Sequence, residues 1–184
     1  MAVDSAAAER TLMMDEEKKA FTPVALMLGG DLGDSAAIFA AAAAALERAG
    51  LQDVRRSRIH RSAPVDCVPG TPDFSDQALT GRWHGSAQEL LGLCQQLERA
   101  AGRPEVHSSC EARTLDCDLI LFGDLVSDAP ELTLPHPRAR ARRFVLEPLA
   151  EIAPDWRFPD TGTTILQEFK RLTALKSPPD GATL

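Results

Sequence analysis

Tyrosine is absent from this chain, whose aromatic side chains are seven phenylalanines and two tryptophans. Sheets that bind single-stranded RNA stack bases on paired aromatic side chains, and no such pair stands out. Positive charge is also scarce, because 20 Lys and Arg face 27 Asp and Glu and leave a net charge of −7. A nucleic-acid-binding face needs the opposite balance, so we expect no nucleic-acid partner.

The four cysteines, at positions 67, 94, 110 and 117, include no CxxC pair. Their spacing matches neither a zinc template nor a disulfide framework. His107 and Cys110 lie close in sequence, but a tetrahedral zinc site needs a second ligand pair, which does not accompany them. We therefore expect reduced thiols, as is usual in the cytosol.

Long apolar runs are missing as well. The longest, Ala36–Leu46, is much shorter than the roughly 20 residues that a membrane span needs. Acidic residues near the N-terminus stand where a signal peptide would be apolar. We expect a cytoplasmic protein with no membrane partner. Its length suits one domain, which we place at residues 21–175, between a flexible extension (1–20) and a flexible tail (176–184).

The order of predicted elements indicates an α+β fold. The turn after the first strand has Asp34 or Ser35 as a helix cap, and Ser86 with Glu89 forms a capping box. The predicted strands are Val24–Leu28, Asp53–Ser62, Asp73–Trp83, Thr114–Phe122 and a short edge strand, Leu132–Leu134; the predicted helices start at the two caps and end at Gly50 and Gly102, and two more span Ala139–Glu151, interrupted by Pro148, and Thr164–Leu172. This is a ferredoxin-like β-α-β-β-α-β core with additional C-terminal helices. We expect a mainly antiparallel sheet with helices on one face.

The residues with most chemical content are Asp116 and Asp118, two positions apart in a predicted strand. Alternation places both on one face, with Leu115, Cys117, Leu119 and Leu121 on the other. Their Cα atoms are then about 6.6 Å apart. Mg²⁺ suits such a pair, because it takes few carboxylates and completes its shell with water and phosphate oxygens. A solvated strand face, or an Asp116–Arg113 ion pair, explains the same pattern.

Three longer segments resemble one family. They are RTLDCDLILFG at Arg113–Gly123, LTLPHP at Leu132–Pro137 and RRFVLEPLAEIAP at Arg142–Pro154, and they resemble the 6-hydroxymethyl-7,8-dihydropterin pyrophosphokinases. The resemblance implies a ferredoxin-like enzyme of folate biosynthesis. Such an enzyme transfers pyrophosphate from ATP to the hydroxymethyl group of a reduced pterin and releases AMP. It also implies two Mg²⁺ ions, with ATP and the pterin as partners. We expect a monomer or a weak homodimer.

The resemblance also implies site residues, position by position. Arg103, Arg113, Asp116 and Asp118 fall on catalytic positions, the two aspartates as metal ligands; Gln95, Glu98, Leu119, Thr133, His136 and Arg142 fall on ATP-binding positions; Ala63, Pro64, Val65, Phe74, Asp76 and Phe144 fall on pterin-binding positions. Two aromatic faces suit a flat pterin ring, and phosphoryl transfer needs positive charge around the phosphates. For Arg138 and Arg140 we expect a solvated helix start.

The chain departs from the family pattern in its substrate loops. Gly29-Gly30-Asp31 replaces Gly-Ser-Asn, and Asp76 replaces a pterin-reading asparagine, which offers a donor as well as an acceptor. Other departures are Glu105, Val106, Ser109, Cys110, Glu131 and Pro137. Three interpretations stay open: a divergent pyrophosphokinase, a related transferase acting on another pterin-like alcohol, and a pterin- or nucleotide-binding module that has lost catalysis.

Overall fold

A computed structural model describes residues 21–62, 73–102 and 112–176. The strands are β1 (Thr22–Gly30), β2 (Gln52–Arg56), β3 (His60–Ser62), β4 (Phe74–Trp83), β5 (Asp116–Phe122), β6 (Ser127–Ala129) and β7 (Leu132–Leu134). The α-helices are α1 (Ser35–Arg48), α2 (Ala87–Ala100), α3 (Arg143–Ile152) and α4 (Ile165–Lys176), and a 3₁₀ turn covers Ala139–Ala141.

The main sheet has the order β2-β4-β1-β5, and β3 also pairs with β4. Every pairing in it is antiparallel. The predicted α+β class is confirmed, and the observed order is the predicted β-α-β-β-α-β with one additional strand, since three strands lie between α1 and α2. The predicted edge strand Leu132–Leu134 exists, but as β7 it pairs with β6 in a separate two-stranded sheet.

The first two helices begin at the predicted caps. The Asp34 side chain accepts hydrogen bonds from the N–H groups of Ala36 and Ala37, and Ser86 and Glu89 form the reciprocal capping box. These bonds satisfy N–H groups that lack partners within the helix. Local sequence therefore determines where both helices start.

Helices cover both faces of the sheet, so the prediction of a single covered face is wrong. The β1 side chains alternate between two buried cores. One core contains α1 and α2 with Val24, Leu26 and Leu28; the other contains α3 and α4 with Ala25 and Met27. A strand buried on both faces reads as a continuous apolar run, which is what residues 24–28 show. Cys94 and Cys117 are free thiols in the first core, as expected.

The predicted strand Asp53–Ser62 is two strands, β2 and β3, separated at Ser57. The buried Ser57 hydroxyl oxygen accepts a hydrogen bond from the Ala78 N–H at 3.0 Å. The Ser57 N–H donates to the Ala78 carbonyl, also at 3.0 Å. The side chain thus takes the place of a backbone acceptor, and the ladder breaks there.

Pro148 does not interrupt its helix, contrary to the prediction. The break comes earlier, where Arg142 is extended between the 3₁₀ turn and α3. A proline inside a helix costs about 3 kcal/mol, whereas each buried apolar side chain contributes about 1.5–3 kcal/mol. Burial of Val145, Leu146 and Leu149 offsets the proline. Within the described ranges, no helix combines the length and apolar character needed to cross a membrane.

Candidate active site

Three neighbouring strands bring two carboxylates to the same level of the sheet. Asp76 on β4 pairs with Gly29 on β1, and Gly29 pairs with Asp116 on β5. A Cβ atom placed on Gly29 would lie 3.4 Å from Asp76 Oδ1 and 3.8 Å from the Asp116 Cβ. Gly29 therefore lies between two acidic side chains that are 40 positions apart in sequence.

Asp116 and Asp118 share a face of β5, as predicted. Leu115, Cys117 and Leu119 lie in the opposite core, with α1 and α2. The prediction fails for Leu121, which lies in the core of α3 and α4. A β-bulge causes this, because Ala25 pairs with Leu121 and the next residue, Leu26, with Leu119. The extra residue inverts the alternation beyond it.

Arg113 connects the acidic pair to an aromatic ring. Its Nη1 donates to Asp116 Oδ2 at 3.1 Å, and its guanidinium carbon lies 5.9 Å from the centre of the Phe74 ring. The Arg113 backbone N–H donates to Asp31 Oδ1 at 2.6 Å, and the Asp31 N–H donates back to the Arg113 carbonyl at 3.0 Å. The ion pair considered as an alternative for Asp116 is therefore present. It brings a positive charge to the carboxylate pair.

His136 faces the other carboxylate. Its N–H donates to the Ile120 carbonyl, which attaches this turn to β5. The ring Nδ1 accepts from the Arg138 N–H at 3.2 Å, so Nε2 carries the proton of the neutral ring. Nε2 lies 4.0 Å from Asp118 Oδ2. Burial, assisted by the charges of Arg142 and Arg138, lowers the pKa of His136 to about 4, so the ring is a neutral donor at physiological pH.

Arg142 extends from the same turn. Its guanidinium carbon lies 5.3 Å from the Phe144 ring centre. Burial and the charge of Arg138 lower the pKa of Arg142, although Asp118 and Asp116 act in the opposite direction. Arg140, by contrast, makes two 2.7 Å bonds to Asp160. These two bonds hold the turn to Asp160, so the Arg140 guanidinium is paired there rather than with Asp116 or Asp118.

Asp76 is a buried acid, with 5% of its surface exposed. The Ser62 hydroxyl donates to its Oδ2 at 2.7 Å. Burial raises the pKa of Asp76 to about 6; Ser62 and His60 lower it, and the charge of Asp116 raises it further. Near neutral pH, Asp76 therefore changes between its protonated form, which has a hydrogen-bond donor and an acceptor, and its carboxylate form, which only accepts.

The remaining predicted residues differ in how directly they face this region. Glu98 Oε1 accepts from the Cys117 N–H at 2.8 Å, which attaches α2 to the strand segment between the two aspartates. Gln95, on the same helix, is exposed. The Leu119 side chain is buried in the core, so only its backbone is available to a nucleotide. Thr133 Oγ1 donates to the Ala129 carbonyl within the β6–β7 hairpin. Ala63, Pro64, Val65, Arg103, Glu105, Val106, Ser109 and Cys110 lie outside the described residues.

Sequence reasoning missed Ser62 and His60 as neighbours of the site. Their contacts depend on strand pairing, since Ser62 lies opposite Phe74 and His60 opposite Asp76. The one available signal was the alternation of His60 and Ser62 at the end of a strand, which places both on one face.

Among the described residues, no group of three His, Cys, Asp or Glu side chains could enclose a metal ion. The acidic pair is therefore not a cation site built by protein ligands alone. It has the donor set of an ion that keeps several positions for water and phosphate oxygens, which is how Mg²⁺ is usually held.

Comparison with known proteins identifies the family of this chain. Residues 25–154 match the family model of 7,8-dihydro-6-hydroxymethylpterin-pyrophosphokinase (HPPK). A Synechocystis sp. 2-amino-4-hydroxy-6-hydroxymethyldihydropteridine pyrophosphokinase is 40% identical over 141 residues, which cover 76% of this chain and 71% of that protein. The Pseudomonas aeruginosa protein of the same name is 46% identical over 72 residues, which cover 39% of this chain and 44% of the relative.

A solved structure shares the fold. Wild-type HPPK-DHPS of Plasmodium falciparum, crystallised with pteroate, superposes with a TM-score of 0.64 at 11% identity. The match covers 84% of this chain and 43% of that one. The α+β architecture of this chain is therefore also the fold of that solved structure. By its family match over most of its length, the chain belongs to the HPPK family.

Proposed function

We propose that this protein transfers the pyrophosphoryl group of ATP to the hydroxymethyl oxygen of 6-hydroxymethyl-7,8-dihydropterin and releases AMP. The observation that carries the proposal is the Asp116–Asp118 pair, bordered by Arg113 and Arg142 and facing a neutral His136. Two carboxylates next to two arginines and a neutral hydrogen-bond donor suit the binding of a polyphosphate together with a cation. Family membership supplies the reaction.

On the nucleotide side, we assign phosphate binding to Arg142, Arg113 and the Nε2–H of His136. Phosphoryl transfer depends on positioning and on positive charge around the phosphates rather than on covalent help. The hydroxymethyl oxygen attacks the β-phosphorus and releases its proton to water, the bond from that phosphorus to the α,β-bridging oxygen breaks, and AMP leaves. Because its ring is already neutral, His136 donates to a phosphate oxygen without a change of charge.

Mg²⁺ is the cation that we assign to Asp116 and Asp118, with two ions expected. Asp116 and Asp118 would hold Mg²⁺ there, and the bound ion would neutralise part of the phosphate charge. The chain contributes the acidic pair itself. It also contributes the Arg113–Asp116 ion pair, which limits the negative charge that the site carries before a nucleotide arrives.

On the pterin side, we assign the ring to Phe74, Phe144 and Asp76. Each phenylalanine lies next to an arginine of the phosphate side, Phe74 next to Arg113 and Phe144 next to Arg142. This proximity supports a heterocycle bound close to the phosphates that react with it. The Asp76 carboxyl group supplies the polar contact that orients the ring.

Product analysis tests the proposal. ATP, Mg²⁺ and 6-hydroxymethyl-7,8-dihydropterin are incubated with the protein. The nucleotides and pterins are then separated, identified and quantified by mass spectrometry. We expect AMP and a pterin diphosphate in equal amounts, and neither product from the Asp116→Asn variant. Formation of ADP, or of no nucleotide product with any reduced pterin alcohol, would refute the assigned reaction.

A further inference from the structure

The carboxylate of Glu151, near the end of α3, makes two hydrogen bonds and an ion pair to Arg58, in the β2–β3 connection, and His60, at the start of β3. Its Oε1 accepts from the Arg58 backbone N–H at 3.0 Å. Its Oε2 lies 3.0 Å from His60 Nε2 and 3.3 Å from Arg58 Nε. The partners are 91 and 93 positions away in sequence, so this contact joins the C-terminal helix layer to the edge of the sheet.

The strand attached in this way is short and lies at an edge of the sheet. β3 is three residues long and pairs only with β4 among the described strands. A strand this short forms few ladder hydrogen bonds, and edge strands are the least constrained part of a sheet. A contact that holds His60, its first residue, therefore helps to fix where β3 lies.

What β3 presents to the site is Ser62. The hydroxyl group of Ser62 donates to Asp76 Oδ2 at 2.7 Å, and His60 lies directly opposite Asp76 in the ladder. The side chains of His60 and Ser62 both point to the face that carries Asp76. The surroundings of this buried acid are thus built in part by the strand that Glu151 anchors.

We propose that Glu151 is a positioning residue of the pterin site, which holds β3 against β4 so that Ser62 stays bonded to Asp76. The inference rests on the proposed function, in which Phe74 and Asp76 bind the pterin. Glu151 touches none of the residues assigned to phosphate. It therefore affects pterin affinity and leaves ATP affinity alone.

The same helix offers a matched control. Glu147 lies one turn before Glu151 and pairs with Arg143 of α3 itself, at 3.0 and 3.3 Å. Both are partly exposed glutamates that bind an arginine, but only the Glu151 carboxylate reaches β3. Comparing Glu151→Gln with Glu147→Gln therefore separates loss of the anchor from loss of a helix charge.

A double-mutant cycle tests whether Glu151 acts through Ser62. The dissociation constant for 6-hydroxymethyl-7,8-dihydropterin is measured by calorimetry without ATP, and the KM for ATP is measured separately. We expect Glu151→Gln and Ser62→Ala each to weaken pterin binding about five- to tenfold, the loss typical of one hydrogen bond. The double variant should be no weaker than Ser62→Ala alone, because coupled residues are not additive. Glu147→Gln should change neither constant.

Several outcomes would overturn the inference. One is an unchanged pterin affinity in Glu151→Gln while Ser62→Ala binds weakly; another is an additive double variant, which a merely structural role predicts. Thermal melts identify an unfolded variant, and His60→Ala then breaks the same bridge from the β3 side. Phe74→Ala separates the two proposals: if it weakens pterin binding while Glu151→Gln does not, only the positioning role fails. If neither Phe74→Ala nor Ser62→Ala has an effect, the pterin site itself lies elsewhere and both fail.

Discussion

Replacing Asp76 by asparagine should stabilise the protein, and by an amount that depends on pH. The side chain is buried, and its pKa rises from 3.8 to about 6, chiefly through burial. Asparagine has almost the same shape and keeps an acceptor for the Ser62 hydroxyl group, which bonds Asp76 in the wild type. The substitution therefore removes the cost of a buried negative charge and little else.

The sign and size of this stabilisation follow from proton linkage. A raised native pKa means that the folded state holds its proton more tightly, so stability falls as pH rises from 3.8 to about 6 and is constant above that. A tenfold difference in proton affinity corresponds to about 1.4 kcal/mol, so ionised Asp76 costs about 3 kcal/mol at neutral pH. We expect Asp76→Asn to raise the free energy of unfolding by up to this amount at about pH 8 and by almost nothing at about pH 4.

Urea unfolding of both proteins across this pH range measures the difference. Asp128→Asn, which removes an exposed aspartate of β6, controls for the change in net charge. A variant that is less stable at every pH, or a gain that does not vary with pH, would refute the buried-charge reasoning.

In the same variant the amide offers a donor at all pH values. We therefore expect its activity on the dihydropterin to exceed that of the wild type most at alkaline pH.

Two further predictions concern the metal pair and the glycine turn. In the double variant Asp116→Asn with Asp118→Asn, ATP binding measured by calorimetry should lose its dependence on Mg²⁺ and weaken at least about tenfold when Mg²⁺ is present; an unchanged Mg²⁺ response contradicts the assignment. Gly30→Ala should lower the melting temperature, because its Cβ would lie 2.5 Å from the Thr114 carbonyl oxygen and overpacking costs about 1–3 kcal/mol. Gly92→Ala has no atom within 4 Å of the new Cβ and should instead stabilise α2; equal effects at the two glycines would contradict this.

Much of the fold could be predicted because its signals are local. The capping box at Ser86 involves residues three positions apart, and alternation in β5 places Asp116 and Asp118 together. The errors came where a distant partner intervened. Ser57 breaks its strand because its hydroxyl group bonds Ala78, 21 residues away, and Leu121 changes face through a bulge opposite β1.

The amino-acid order alone was sufficient for the α+β class, the succession of strands and helices, and the pair of acidic groups on one strand face, since each depends on contacts within a few residues. Tertiary structure decided which neighbours each carboxylate has. It brought His136 to Asp118 and Ser62 to Asp76, and Glu151 to the strand that carries Ser62. Charge state and orientation follow from burial and from such partners. Both arise only when the sheet has formed and the helices cover it.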